Sequence, residues 1–388
     1  MKRIKCILTI ALVMIMSFNA SQFAFAQNDT VNEETIDFKF TSKAAILMDA
    51  GSGKVLYENN AHKRLPPASI TKIMSMILFM EAIDSGKIKT TDMVTASEHA
   101  SDMGGSQIYL APGEEMTVDD LMKAVAIASG NDATVALAEY IAGTEEMFVK
   151  MMNKKAKELG LKNTHFTNCT GLPEKDHYTS VFDVAVMSRE LITKHPGVLR
   201  WTKIYLDSLR GGKFGLANTN KLVRFYKGAD GLKTGSTDEA GFCLSATALR
   251  NGMRLIAVVF GAPDSKHRFN EASKLLDYGF ANYKSYKVAD KGQVIEEIKV
   301  EKGLIDKVNA IASNNSNILI RKGEDESIKK KIILPQKIIA PIRRGEKIGE
   351  IVVYKNGIEI SRLPLVSDRS VKKAGVIDYY MRILGDWI

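Results

Sequence analysis

The spacing of hydrophobic and polar positions changes period several times along the chain. Ala44–Asp49 and Lys54–Asn59 are short apolar runs meeting at AGSGK, which predicts two strands joined by a hairpin turn. After Pro66-Pro67, which stop any earlier helix, the run IMSMILFMEAI is apolar on nearly every face. That is the pattern of a helix buried all round, spanning Ser69 to about Ile83 and ended by Asp84-Ser85-Gly86. A helical middle follows. Thr117-Val118-Asp119-Asp120 has the form of a capping box with Asp in place of Glu, and it opens a helix that stops at Ser129-Gly130-Asn131. The run ATVALAEYIAG begins the next helix at once, and 145–159 and 181–194 are amphipathic. Beyond Gly228 the period becomes strand-like: GLKTGST, GFCLSATAL and MRLIAVVFG, with Arg250-Asn251-Gly252 as a turn between the last two. A helix over about 265–283 closes the unit.

Strands at both ends with helices between predict an α/β (α+β) domain over 41–284. Its mainly antiparallel sheet is flanked by helices, and the N-terminal hairpin joins the C-terminal strands. From about 286, runs such as VIEEIKV, NILIRK and IGEIVVYKNGIEI alternate with Gly, Asn and Lys turns, which predicts a small all-β sandwich over 285–368. The segment 369–388 has a helical pattern, with Val376, Tyr380, Ile383 and Trp387 on one side and Lys372, Lys373 and Arg382 largely elsewhere. Such a helix suits a bilayer interface; packing on its own domain or mediating a dimer is the alternative.

The N-terminus alters where the protein works. MKRIK is basic, CILTIALVMIMSF is apolar and too short for a comfortable span, and Ala24-Phe25-Ala26 is a cleavage signal ahead of Gln27. Residues 1–26 therefore read as a signal peptide and 27–40 as a polar linker, which makes the protein exported and extracytoplasmic. The formal charge of +9, about +6 without the leader, is spread out and lacks the clusters that nucleic acid requires. It suits anionic polymers or the outer face of a membrane. Cys6 belongs to the leader; Cys169 and Cys243 lie far apart in sequence, and no disulfide is expected. None of the six histidines begins a metal-ligand cluster, so neither metal nor cofactor is expected. GSGK at 51–54 is followed by valine and lacks the upstream glycine of a phosphate loop.

The candidate chemistry lies in three short motifs. Ser69-Ile70-Thr71-Lys72 opens the apolar helix, Ser129-Gly130-Asn131 lies between two helices, and Lys233-Thr234-Gly235 lies on a strand. S-x-x-K alone is weak, recurring at Ser327 and Ser370, and S-x-N recurs at Ser17 and Ser313. Order and setting single out the first copies. At i and i+3, Ser69 and Lys72 share a helix face, so the amine reaches the hydroxyl. Burial favours a neutral lysine able to act as general base, although Ser69 as a cap and Lys72 reaching solvent is the bland alternative. Lys233 adds positive potential that keeps Lys72 neutral and attracts an anionic substrate end. Thr234 and Ser236 bring hydroxyls for a carboxylate, and Gly235 admits substrate backbone. Ser129 can pass a proton to a leaving amine, and Asn131 can orient an amide.

With these motifs and the long blocks GSQIYLAPGEEMTVDDLMKAVAIASGNDA and ADGLKTGSTDEAGFCLSATA, the chain resembles the low-molecular-mass penicillin-binding proteins over roughly 40–385. These are serine-type D-alanyl-D-alanine carboxypeptidases with a β-lactamase/transpeptidase-like domain, and the resemblance is to the type with a C-terminal β domain. It implies removal of the terminal D-alanine from peptidoglycan stem pentapeptides through an acyl-enzyme on Ser69, acylation by β-lactam antibiotics, and an oxyanion hole from the backbone N–H groups of Ser69 and Ser236. The β domain and terminal helix would then be a spacer and membrane anchor. Relatives often carry histidine before the Gly-Leu pair at 171–172; this chain has Thr170, so no role is transferred there. A class A-like β-lactamase, a D,D-endopeptidase and a non-catalytic wall scaffold stay open as alternatives. For the β-lactamase, Glu158 and Asn163 are unconvincing candidates for the deacylating pair, and Gly130 stands where that pattern has aspartate.

Overall fold

The computed structural model describes residues 38–385, with side chains described as far as residue 380; the signal peptide and most of the linker read from the sequence fall outside the described residues. Strands β1 (Ala44–Asp49) and β2 (Val55–Asn59) form the predicted hairpin. Strand β1 then pairs with the late strand β9 (Met253–Ala262), bringing Ile46 opposite Val258. With β7 (Ala229–Thr237) and β8 (Gly241–Arg250) the order is β2-β1-β9-β8-β7, antiparallel throughout. The N-terminal hairpin thus completes a sheet made by the far end of the domain. Asn251 and Gly252 take positive φ (49° and 75°), the turn that matches the twist of paired strands.

Strands β1 and β9 are buried almost end to end because both faces are covered. Helix α6 (Ser265–Asn282) packs on one face, where a Cβ at Gly279 would lie 2.4 Å from Leu255 and 3.1 Å from Leu47. On the other face, Ile46, Met48, Val258 and Phe260 join the main core with the helical middle. At its centre runs α1 (Lys72–Asp84), which follows a 3-10 turn over Ala68–Thr71 and is buried all round as its pattern requires. The helix predicted from Thr117 begins as α2 (Val118–Lys123), capped by the Thr117 hydroxyl accepting from the Asp120 N–H. It widens into a π turn over Ala124–Ala128 before α3 (Asn131–Ala142). Helices α4 (Glu145–Glu158) and α5 (Val181–Lys194) fall where their periodicity put them. Two strand pairs were not legible: β3 (Met93–Thr95) with β4 (Glu115–Thr117), and β5 (Leu206–Leu209) with β6 (Phe214–Ala217). Runs of three or four residues carry too little periodicity to be seen.

A C-terminal all-β domain follows. Strands β10 (Tyr283–Ala289) and β13 (Ser316–Arg321) pair with each other. The other strands are β11 (Val294–Glu301), β12 (Lys307–Ala312), β14 (Ile328–Ile333), β15 (Lys337–Ile339), β16 (Lys347–Lys355) and β17 (Ile358–Ser367). They form a sheet of order β14-β16-β17-β12-β11-β15. Val288, Ala289 and Ile320 of the small sheet share a core with Ile351, Val353 and Leu363 of the larger one. The terminal helix α7 covers Val376–Gly385 only. The helical reading from 369 is corrected over the first residues: Val371 pairs with Ile342 and Lys373 with Gly303 as extended bridges, which engages that backbone in β pairing. Val376 and Ile377 are 86% and 78% exposed, and Tyr380 is exposed too.

Two features fix the elements around Ser69. Asp132, fully buried, accepts the N–H groups of Ile108, Leu110 and Ala133, tying the 104–110 loop to α3. Gly171 (φ 88°) lies against the 3-10 turn, where a Cβ would meet the Ala68 carbonyl oxygen at 1.8 Å. Asp132→Ala leaves three buried donors unmatched and is expected to cost about 3 kcal/mol; an unchanged denaturant midpoint would refute the brace. Gly171→Ala adds about 1–2 kcal/mol of left-handed backbone strain to that overlap. Its expected result is a lower Tm together with a slowed reaction at Ser69, and normal behaviour in both would show that the turn yields freely.

Candidate active site

Ser69 lies in the 3-10 turn and its side chain caps nothing; Pro67 occupies the cap position. Three residues on, Lys72 is 0% exposed, so the alternative in which it reaches solvent does not hold. The turn and helix put both on one side, with Lys72 Nζ 3.0 Å from Ser69 Oγ. Two further oxygens meet the amine: Asn131 Oδ1 at 2.6 Å and the Thr170 carbonyl at 2.8 Å. Asn131 is held in that orientation because its Nδ2 donates to the Gly104 carbonyl at 2.6 Å.

Burial drives the Lys72 pKa down to about 7, against the opposing fields of Cys169 and Asp132. A neutral amine has two N–H donors and one lone pair. The carbonyl oxygens of Asn131 and Thr170 can only accept, so they take the two donors. The lone pair is left for Ser69, the one partner with a proton to give. The arrangement can therefore take the proton from a serine hydroxyl.

Strand β7 closes the opposite side, with its Gly235 packed on the serine turn. A Cβ there would lie 3.0 Å from each of Ser69 N, Ile70 N and Pro67 O. Lys233 is buried and donates to the Thr234 carbonyl at 3.0 Å. Burial first, and then the charges of Lys72 and Arg268, hold its pKa well below the ordinary lysine value. The Thr234 hydroxyl donates to Thr219 Oγ1 at 2.7 Å, while Ser236 is exposed at the end of the strand. Ser129 is buried between the π turn and α3 with left-handed φ 66° and ψ 29°. That conformation costs a serine about 1–2 kcal/mol, and here one local and one long-range backbone bond sustain it. The Gly130 N–H donates to Ala124 O and the Asn131 N–H to Ser106 O.

Ser69, Lys72 and Asn131 thus form one hydrogen-bonded group, facing Lys233, Thr234 and Gly235 across the turn. Ser129 and Ser236 make no side-chain hydrogen bond to it among the described residues. Sequence reasoning missed four contributors. Thr170 acts through its carbonyl, which every residue has. Thr219 is one threonine among many. Arg268, on α6, is buried behind β7 and donates to the carbonyls of Gly235 and Cys243; burial lowers its pKa to about 10. His177 sits beneath the serine turn. The Thr167 N–H donates to its Nδ1, so Nε2 carries the proton and donates to Thr71 Oγ1 at 2.8 Å. Burial pushes its pKa to about 4, leaving it neutral at pH 7.

Glu158 and Asn163 are engaged elsewhere, Glu158 with Lys154 and Lys155 and Asn163 with Arg64 and Asp183. Cys169 and Cys243 are free, buried thiols whose pKa values burial raises.

Residues 27–264 match the family described as D-alanyl-D-alanine carboxypeptidase, and 283–373 match the penicillin-binding protein 5 C-terminal domain. The chain is 48% identical to the D-alanyl-D-alanine carboxypeptidase DacF of Bacillus subtilis, over 100% of this chain and 99% of that one. It superposes on penicillin-binding protein 5 of Haemophilus influenzae with a TM-score of 0.72 at 36% identity, covering 87% of this chain and 99% of that one. Penicillin-binding protein D2 of Listeria monocytogenes in its ampicillin-bound form gives 0.58 at 33% identity, covering 63% and 99%. By sequence over its whole length and by fold, the chain belongs to the D-alanyl-D-alanine carboxypeptidases, serine peptidases here followed by a penicillin-binding protein 5-type C-terminal domain.

Proposed function

We propose that this carboxypeptidase removes the terminal D-alanine of peptidoglycan stem pentapeptides through an ester on Ser69. The observation that carries the reading is the buried amine whose one unclaimed lone pair faces the serine hydroxyl. Ser69 Oγ attacks the carbonyl carbon between the two D-alanines as its proton passes to Lys72 Nζ. The oxyanion is met by the backbone N–H groups of Ser69 and Ser236. The Ser129 hydroxyl hands a proton to the leaving nitrogen and is resupplied with the proton Lys72 took, so the C–N bond breaks, D-alanine departs and Lys72 is neutral again. Water then attacks the ester carbonyl carbon, giving a proton to Lys72, which passes it to Ser69 Oγ as the ester C–O bond breaks. Asn131 orients the substrate amide. Lys233, Thr234 and Ser236 take the terminal carboxylate, with Arg268 adding positive potential from behind the strand, and Gly235 lets the substrate lie close.

A β-lactam enters the same attack, but its leaving nitrogen stays tethered and obstructs the water, so the ester persists. A cell-wall substrate supports a site of action outside the cytoplasmic membrane. Among the described residues no helix is long and apolar enough to cross a bilayer. The exposed Val376, Ile377 and Tyr380 of α7 support a surface-lying anchor instead.

Intact mass after adding penicillin is expected to show a long-lived adduct on the leaderless protein and none on Ser69→Ala; an adduct on both would remove Ser69 from the reaction. Below about pH 7 Lys72 holds its proton and cannot accept another. The acylation rate should therefore rise as pH passes through about 7 and then level off; a rate flat from pH 5 to 9 would exclude Lys72 as the base. Co-sedimentation with anionic lipid vesicles tests the anchor. The leaderless chain should pellet and the chain ending at Gly375 should not, whereas equal behaviour would mean that α7 binds no membrane.

A further inference from the structure

We propose that Glu145 is a positioning residue of the reaction: by joining His99 to the Cys169 N–H it sets both acceptor oxygens, Asn131 Oδ1 and the Thr170 carbonyl, that leave the Lys72 lone pair to Ser69. The inference rests on the reading of Lys72 as the base and deepens it.

Glu145 opens α4, where an acidic residue ordinarily favours its own helix. Here both of its carboxylate oxygens reach other segments. Oε1 accepts the Cys169 N–H at 2.9 Å, and Oε2 accepts from His99 Nε2 at 2.9 Å. The cap of α4 is left to Thr144, whose hydroxyl accepts the Met147 N–H. The Glu145 side chain is 13% exposed and the imidazole 56%, so the pair runs from the surface to the wall of the site.

One oxygen fixes the loop behind Lys72. Cys169 and Thr170 are fully buried, so each of their backbone groups needs a partner. The Cys169 carbonyl accepts from Ser75 Oγ at 2.7 Å, one turn beyond Lys72 on α1, and the Thr170 N–H donates to Asn168 Oδ1 at 3.2 Å. Glu145 supplies the acceptor for the Cys169 N–H. The fourth group is the Thr170 carbonyl, which these three bonds hold 2.8 Å from Lys72 Nζ.

The other oxygen fixes the loop behind Asn131. His99 lies on a short helix, Glu98–Ser101, and the chain leads from there directly to Gly104, whose carbonyl accepts from Asn131 Nδ2. The hydrogen bond to Glu145 first, and then the fields of Glu145, Glu139 and Glu146, raise the His99 pKa against burial. The link therefore stays charged to higher pH than an isolated histidine would allow. It ties the segment that orients Asn131 to the loop that carries Thr170.

The test is the pH profile of penicillin acylation for the leaderless protein and three variants. A carbonyl oxygen stabilises an ammonium more than a neutral amine, so loosening the Thr170 contact weakens the hold of Lys72 on its proton. In Glu145→Ala the acylation midpoint should move to lower pH by about half a unit. Its plateau rate should fall about tenfold, the scale of one charge-assisted hydrogen bond. Glu145→Gln keeps an acceptor for the Cys169 N–H and should return both close to wild type. His99→Ala is a surface change and carries the test should Glu145→Ala not fold; its plateau should fall about threefold, the scale of a partly exposed ion pair. Glu145→Ala with the wild-type midpoint and plateau would overturn the positioning role, whatever its Tm. So would a Glu145→Gln profile as impaired as that of Glu145→Ala, or His99→Ala at the wild-type rate. A wild-type profile flat across pH would instead remove Lys72 as the base, and this inference with it.

Discussion

An ammonium group in a protein interior loses several kcal/mol of hydration, and only excellent matching restores it. Lys72 sits inside the core of the main domain with three oxygens around its nitrogen, and burial brings its proton affinity to near neutrality. Each neighbour of that nitrogen belongs to a different part of the chain. Ser69 comes from the turn before α1, Asn131 from the start of α3, and Thr170 from the loop ahead of α5. The fold is arranged so that these three meet, and loss of any one would change what the amine can do.

The same demand explains features that a simple packing account would leave odd. Ser129 keeps a left-handed backbone, and the helix ahead of it widens into a π turn. Both deliver Asn131 to the lysine, while Asp132, the next residue, draws the 104–110 loop in so that Gly104 can fix the Asn131 amide. Gly171 is needed because the Thr170 carbonyl reaches Lys72 only if the following residue passes within contact of Ala68. Gly235 does the same from the other side. At Ser129, Gly171 and Gly235, strained or close-packed backbone serves the placement that the chemistry needs.

Much of this was legible. Periodicity marked the long helices and the three late strands because each buries a continuous face or stripe, and Asn251-Gly252 marked its hairpin by turn chemistry. The S-x-x-K spacing put Ser69 and Lys72 on one face by helix geometry alone. The short pairs β3–β4 and β5–β6 escaped notice because three or four residues show no period. Residues 369–375 were misread as helix because the pairing partners of Val371 and Lys373, Ile342 and Gly303, are distant in sequence.

What the sequence determined by itself, then, was the longer helices and strands, the order of the three motifs and the pairing of serine with lysine. All of these are local properties of spacing and composition. Only the tertiary structure decided how dry Lys72 is and that Thr170 contributes a carbonyl. It also decided that Arg268 stands behind β7, that His177 supports the serine turn, and that five charged side chains line one cleft. These depend on what long-range packing brings within a few ångströms, and neither burial nor a backbone carbonyl leaves a mark on residue identity.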